Sequence, residues 1–176
     1  MDIVSHALVG RMFISSREKK RDIAFVALAG ALPDFFQIPL YIFVGHLHHR
    51  PYNFPLNSDW VGVRSAYPSW YLFWDIPHSL FFLLFVIIPI VYYFKLNKLA
   101  IFAYFSHIFL DIFTHTGEWS LKPFFPLNFA INGFTDAWAW NYWSYLLVWA
   151  ILITIIMGLE ALRGRIRAGR KKGVQI

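Results

Sequence analysis

The stretch SHIFLDIFTH at 106–115 holds the densest chemistry in the chain, with His107, Asp111 and His115 spaced four residues apart. On an α-helix each such step turns the side chain by about 40°, so the three lie at roughly 0°, 40° and 80°, on one stripe. Ala100, Ala103, Tyr104, Thr114 and Glu118 fall on the same stripe, while Phe102, Phe105, Ile108, Phe109 and Ile112 take the rest of the surface. Two imidazoles and a carboxylate at one-turn spacing can bind a divalent cation from a single helix. A histidine–aspartate network gluing helices together would use the same groups. Three are more than glue needs, and ionisable groups in an apolar helix point by default to function.

Other donors are scattered along the chain. Asp34 lies in GALPDFF, and Pro33 beside it is expected to break or kink the helix. A carboxylate there can serve as a cation ligand, as a general base, or as the cap of a second half-helix. His6 is the one ionisable group between Asp2 and Arg11. His78 opens an apolar run in DIPHSLFF, and Asp75 precedes it by three residues, a spacing suited to an outer-shell partner. The rise of a helix puts His107 ~14 Å and His115 ~26 Å beyond Lys98, and Asp34 ~18 Å beyond Asp22. These depths allow His6, Asp34, His78, His107, Asp111 and His115 to meet in one cluster. His46, His48 and His49 read instead as a solvated or headgroup-facing loop.

The elements that must position these groups are apolar. Of 176 residues, 58% are hydrophobic, 20% aromatic and only 15% charged, which cannot cover a water-soluble monomer and excludes disorder. The length suits a single domain over 1–176. With no cysteine, a metal must sit on nitrogen and oxygen. Four stretches read as bilayer helices: 23–45, 76–94 with Pro89 as a tolerated kink, 99–115 and 137–159. The first apolar run, 3–14, reaches only ~18 Å and is too short to cross. Asp2 is its expected N-cap, and the order of charges argues against a cleaved signal. The expected fold is therefore all-α, a polytopic membrane bundle of about four spanning helices plus a short N-terminal helix.

Sixteen Lys and Arg face ten Asp and Glu, a net charge of +6. The surplus resides in the tail 163–176, with Arg163, Arg165, Arg167, Arg170, Lys171 and Lys172 and no acid. A basic segment after an apolar helix reads as a cytoplasmic flank meeting membrane lipids, rather than a nucleic-acid surface. With SSREKKR at 15–21 and KLNK at 95–98 on the same side, the loops 46–77 and 117–141 fall outside. Their Trp and Tyr suit the membrane interface. No phosphate-cradling, dinucleotide, HExxH or GxSxG motif occurs, which leaves nucleotide-driven transport and serine hydrolysis without support.

MDIVSHALVG, a basic turn, GALPD, HS opening an apolar helix, then SHIFLDIFTH and KPFFPLNFAINGF together resemble the YdjM-like family. That family comprises inner-membrane-associated proteins assigned as metal-dependent hydrolases. The resemblance covers roughly 1–140 plus a final spanning helix, and its matching positions are His6, Asp34, His78, His107, Asp111 and His115. Many relatives carry a His-Arg-Gly stretch before the HS element. Here it reads FWDIPHS, and Asp75 is expected to take the supporting role.

Residues and resemblance together predict one or two divalent ions, zinc first, activating water against an ester or phosphoester of a small-molecule or lipid substrate. A carboxylate that is not a ligand, Asp34 or Asp75, would act as base. The expected location is the inner membrane, multi-pass, with the C-terminus cytoplasmic. Two rivals use the same groups: a non-enzymatic cation-binding or transport protein, and a b-type haem protein with His78 facing His107.

Overall fold

The computed structural model describes the backbone of residues 1–173 and the side chains of residues 1–169. The chain is all-helical, and the only β pairing among the described residues is one isolated bridge between Leu121 and Ile131. Six helices carry the fold: α1 Ile3–Met12, α2 Lys20–Phe36, α3 Ile38–Leu47, α4 Leu80–Tyr93, α5 Leu99–Thr114 and α6 Tyr142–Gly173. Short helical turns occupy the loops between α3 and α4.

The short α1 is the centre of the bundle, packed on α2, α5 and α6. Asp2 caps it, accepting from the backbone of Val4 at 2.9 Å and Ser5 at 3.0 Å. Its far end is held by α6: Arg163 donates to the carbonyls of Met12 at 2.6 Å and Ile14 at 3.0 Å. Glu160 accepts from the Ser16 amide at 3.0 Å and hydroxyl at 2.6 Å. Trp149 binds Asp2 at 3.2 Å, so α6 runs beside α1 and is fixed to both its ends. Arg163, expected in a free basic tail, is thus a helix cap. The tail residues Arg170, Lys171 and Lys172 lie outside the described side chains.

Contact between α1 and α2 is backbone on backbone. A Cβ on Gly30 would stand 2.6 Å from the His6 carbonyl, and one on Gly10 would stand 2.9 Å from the Val26 carbonyl. No larger residue fits either position without parting the helices.

Among the described residues, two apolar helices are long enough to cross a membrane: 28 residues from Lys20 to Leu47, through α2 and α3, and 28 from Tyr142 to Gly169 in α6. The helices α4 and α5 are shorter than the segments expected at 76–94 and 99–115. The Ser79 hydroxyl caps α4 at Phe81, 3.1 Å away, which puts its start at Leu80. The other end of α5 closes at Thr114, because the amides of Phe134 and Gly133 take the carbonyls of Phe113 at 2.9 Å and His115 at 2.7 Å. The interruption expected at Pro33 also lies elsewhere. Pro33 sits inside a continuous α2, and the helix breaks at Gln37, just before Pro39.

The loops expected on the outer side turn many of their aromatics inward. Trp60, Tyr71, Trp74 and Trp119 are buried, with Trp119 4.4 Å from Trp60 and 5.0 Å from Trp74, ring centre to ring centre. They form a lid over one end of the bundle, where an interfacial fringe was expected. Arg50 anchors that lid with a fork on Asp59, at 2.8 and 2.7 Å.

Two predictions follow from these contacts. Gly30→Val should force α1 off α2 and lower stability by about 1–3 kcal/mol, read as a drop in melting temperature in detergent. The hydrogen bonds from Arg50 hold Asp59 at about 2, below its ordinary 3.8. A depressed carboxyl contributes stability above its unfolded pKa and loses it as pH falls through the folded one. The Trp60 environment should therefore stay constant above pH 4 and change between about 4 and 2, as followed by tryptophan fluorescence, and Arg50→Ala should move that change upward.

Candidate metal centre

Three helices and one turn deliver the donors to one buried point. His6 comes from α1, Asp34 from α2, His78 from the turn before α4, and His107 and Asp111 from α5. His115 lies just beyond α5 in extended backbone, so it leaves the helical stripe on which its spacing placed it. Its side chain still reaches the cluster, with Nε2 3.3 Å from Asp111 Oδ1. All six side chains are at most 1% exposed.

Asp34, His78, His107 and Asp111 form a group that could hold a metal ion, with one donor atom each and all four atoms within 4.8 Å of one another. His107 Nε2 lies 3.1 Å from His78 Nε2, 3.1 Å from Asp111 Oδ2 and 3.6 Å from Asp34 Oδ1. His78 Nε2 is 3.8 Å from both carboxylates. A tetrahedron with arms of ~2.1 Å has edges of ~3.4 Å, so these separations suit four ligands of one small cation.

The ring orientations decide how the two imidazoles can interact. His107 Nδ1 is 2.7 Å from the Gly30 carbonyl, and His78 Nδ1 is 2.8 Å from the Trp74 carbonyl. A carbonyl only accepts, so both rings keep a proton on Nδ1. In the neutral rings both Nε2 atoms then present lone pairs to each other across 3.1 Å. That contact is repulsive unless a positive charge stands between or beside them. Backbone-anchored Nδ1 with Nε2 free is the usual second-shell arrangement of metal-binding histidine. The orphaned atoms point the same way: Asp34 Oδ2, Asp111 Oδ2 and His6 Nε2 are buried without a hydrogen-bond partner. His6 Nε2 lies 2.9 Å from Asp111 Oδ1 but out of line for a hydrogen bond, as two ligands of an ion would.

The same distance excludes the haem reading, since axial nitrogens on opposite sides of an iron stand about 4 Å apart with a macrocycle between them.

The remaining sequence candidates fall elsewhere. Asp75, expected behind His78 or as a base, is buried in an ion pair with Arg64 and lies 3.4 Å from Lys122. The carbonyl of Trp74 holds the supporting position in its place. Glu118 accepts from the amides of Gly62 and Arg64 at 3.1 and 3.0 Å and takes no part in the cluster. Asp34 does not cap α3, since its carboxylate accepts from Gln37 Nε2 at 3.1 Å. His46, His48 and His49 are exposed around the end of α3.

Sequence reasoning missed Gly30, Trp74 and Gln37. Gln37 follows Asp34 by one helical turn, a spacing that could have revealed it. Carbonyl donors such as Gly30 and Trp74 leave no signature in a sequence.

A cavity of about 390 Å³ opens beside the cluster. Asp34 and Gln37 line it together with Ile3, Ile38, Tyr41 and Trp138, and its wall is almost wholly apolar.

Compared with protein-family models, curated proteins and solved structures, the chain matches none.

The two aspartates should part company on mutation. Asp111→Ala should empty the purified protein of bound metal by elemental analysis. Asp75→Asn should keep the metal and instead lower stability by about 1–3 kcal/mol, through the unpaired Arg64 and Lys122.

Proposed function

We propose that this chain is a metal-dependent hydrolase of the inner membrane, acting on an ester or phosphoester group of an amphipathic, lipid-linked substrate. The observation that carries the reading is the pair of anchored histidines facing each other beside two carboxylates, against an apolar cavity. The resemblance to the YdjM-like family points the same way. Zinc is the favoured ion, because the donors are imidazole and carboxylate at tetrahedral separations and no thiolate is present.

The membrane setting rests on the outer surface. No residue of α6 between 142 and 169 is buried, yet the segment is apolar, and Leu84, Phe85, Phe102, Phe105 and Phe109 are exposed on α4 and α5. Such a surface needs lipid as its solvent. Lys19, Arg21 and Lys95 line one polar cleft, and Arg163 reaches Ile14 nearby, so the basic flanks share one end of the bundle. Positive residues mark the cytoplasmic side, which puts the C-terminus inside and the metal cluster in the outer half. In this arrangement α4 and α5 complete a four-pass bundle despite their shorter length.

Bound at the quartet, a divalent ion supplies Lewis acidity and lowers the pKa of water. The chain's own groups do the rest. His78 and His107 are held by carbonyls, so their lone pairs do not turn away. Asp34 lines the cavity, and its unpartnered Oδ2 accepts the proton of the attacking water. The apolar wall excludes bulk water and receives the hydrocarbon part of the substrate, leaving the polar group at Asp34. Asp75 is already neutralised by two cations and is unsuited as base.

A cation carrier would need polar groups continuing toward the cytoplasmic end. There α5 presents Ala100, Ala103 and Tyr104, all buried, with the Tyr104 hydroxyl donating to the Pro77 carbonyl. Ala100 and Tyr104 line a cavity of about 170 Å³ there with Leu28, Leu32 and Val91, and its apolar wall offers a cation no carboxylate or imidazole.

In detergent, the purified protein should hydrolyse phosphoester or ester lipids, lose that activity to chelator and regain it with Zn²⁺. His107→Ala should lose both metal and turnover. Turnover that survives chelation and His107→Ala sinks the hydrolase, and metal-dependent flux through proteoliposomes without turnover would put a carrier in its place.

A further inference from the structure

The two oxygens of Asp111 face different partners. Oδ2 stands with His107 at 3.1 Å and His78 at 3.8 Å. Oδ1 stands with His6 at 2.9 Å and His115 at 3.3 Å, each through Nε2. The quartet that could hold an ion uses neither His6 nor His115. Both are nevertheless fully buried, and His6 Nδ1, His6 Nε2 and His115 Nδ1 have no hydrogen-bond partner. A buried imidazole with both nitrogens orphaned is costly, and the α1–α2 contact at Gly30 brings His6 to this place.

We infer that Asp111 is a bridging carboxylate between two divalent cations: one at Asp34, His78, His107 and Oδ2, the other at His6, His115 and Oδ1. The inference rests on the metal-binding reading above and adds a second site with its own donors. The separations of 2.9 and 3.3 Å around Oδ1 lie near the ~3.4 Å edge of a tetrahedral zinc site. A bridging carboxylate sets two ions ~3.5–4 Å apart, the spacing of paired-metal hydrolases.

The two sites differ in preparation. His78 and His107 are each oriented by a backbone carbonyl, whereas the Nδ1 atoms of His6 and His115 have no such support. Missing outer-shell partners cost ~10–100-fold in metal affinity, so the second ion is the weaker by that factor. The rival occupant of the Oδ1 corner is the nitrogen of Met1, beside Asp111 Oδ1 and 3.1 Å from His115 Nε2. The Thr114 hydroxyl also donates to Oδ1, at 3.2 Å, and if these two satisfy the corner the protein holds one ion.

The experiment titrates metal-free full-length protein in detergent with Zn²⁺ by calorimetry, and with Mn²⁺ by electron paramagnetic resonance. The expected result is two ions per chain in two affinity classes ~10–100-fold apart, with an exchange-coupled signal once two Mn²⁺ are bound. His115→Gln and His6→Gln should each remove the weaker class and the coupling while keeping the tighter ion. The retained ion reports that each variant is folded. One tight ion in the unaltered protein, untouched by either substitution, overturns the bridge and leaves the hydrolase reading standing. No bound ion at all overturns both.

Discussion

Two imidazole nitrogens facing each other across 3.1 Å, neither able to turn away, are the constraint on which the rest of the structure depends. Freed from their anchors, His78 and His107 would rotate until an N–H met a lone pair, and the pair would be an ordinary hydrogen bond. The carbonyls of Trp74 and Gly30 forbid that. The helices are arranged to keep those carbonyls in place. Gly30 is in the middle of α2, where its missing side chain lets α1 approach and its carbonyl orients a residue of α5. One glycine therefore sets both the packing and the chemistry. Trp74 serves similarly, since its carbonyl holds His78 while its ring stacks on the same imidazole, 3.8 Å between centres.

Around that point the aromatic lid controls access. The edge of Trp74 meets His115, and Trp119 backs Trp74 in turn. Water is kept from the lidded end of the cluster, which raises the strength of every charge interaction inside it. The apolar cavity at Asp34 is the complementary opening, set among α1, α3 and the loop at 52–54. The amphipathic substrate proposed above would suit such an opening, because its hydrocarbon part would meet an almost wholly apolar wall.

Much of this was legible in the sequence, and the reason is physical. Ionisable groups are so costly in an apolar helix that each one stands out, and His107 and Asp111 also share a helical face by spacing alone. The helical class follows from composition and from long apolar runs. What could not be read was set by backbone contacts. The end of α5 at Thr114 is imposed by amides of Gly133 and Phe134, distant in sequence, so His115 could not be foreseen in extended backbone. Pro33 remained inside α2 because a proline costs a helix one hydrogen bond, which packing can offset, while the actual break uses Gln37 ahead of Pro39. Asp75 was misjudged for a similar reason. Three residues from His78 is the right spacing on a regular helix, but the segment before Leu80 is a series of turns, and Arg64 and Lys122 claim the carboxylate.

Charge balance ties the site to the kind of molecule it would receive. Asp34 and Asp111 are both buried in an apolar bundle, with the Met1 ammonium beside Asp111 alone, and one divalent ion at the quartet would neutralise the two carboxylates together. With a second ion beside His6 and His115, both neutral ligands, two positive charges remain uncompensated in a dry pocket. The chain offers no further acid there: Asp2 is taken up by the α1 cap and Trp149, and Asp75 by its two cations. The missing negative charge would then come from outside, as hydroxide drawn from water or as an anionic oxygen of the ligand. A phosphoester brings that charge on the group to be cleaved, whereas a neutral carboxylic ester does not. Between the two substrate classes the resemblance and the donors leave open, a paired-metal centre favours the phosphoester, with the hydrocarbon part lodged against Ile38, Tyr41 and Trp138.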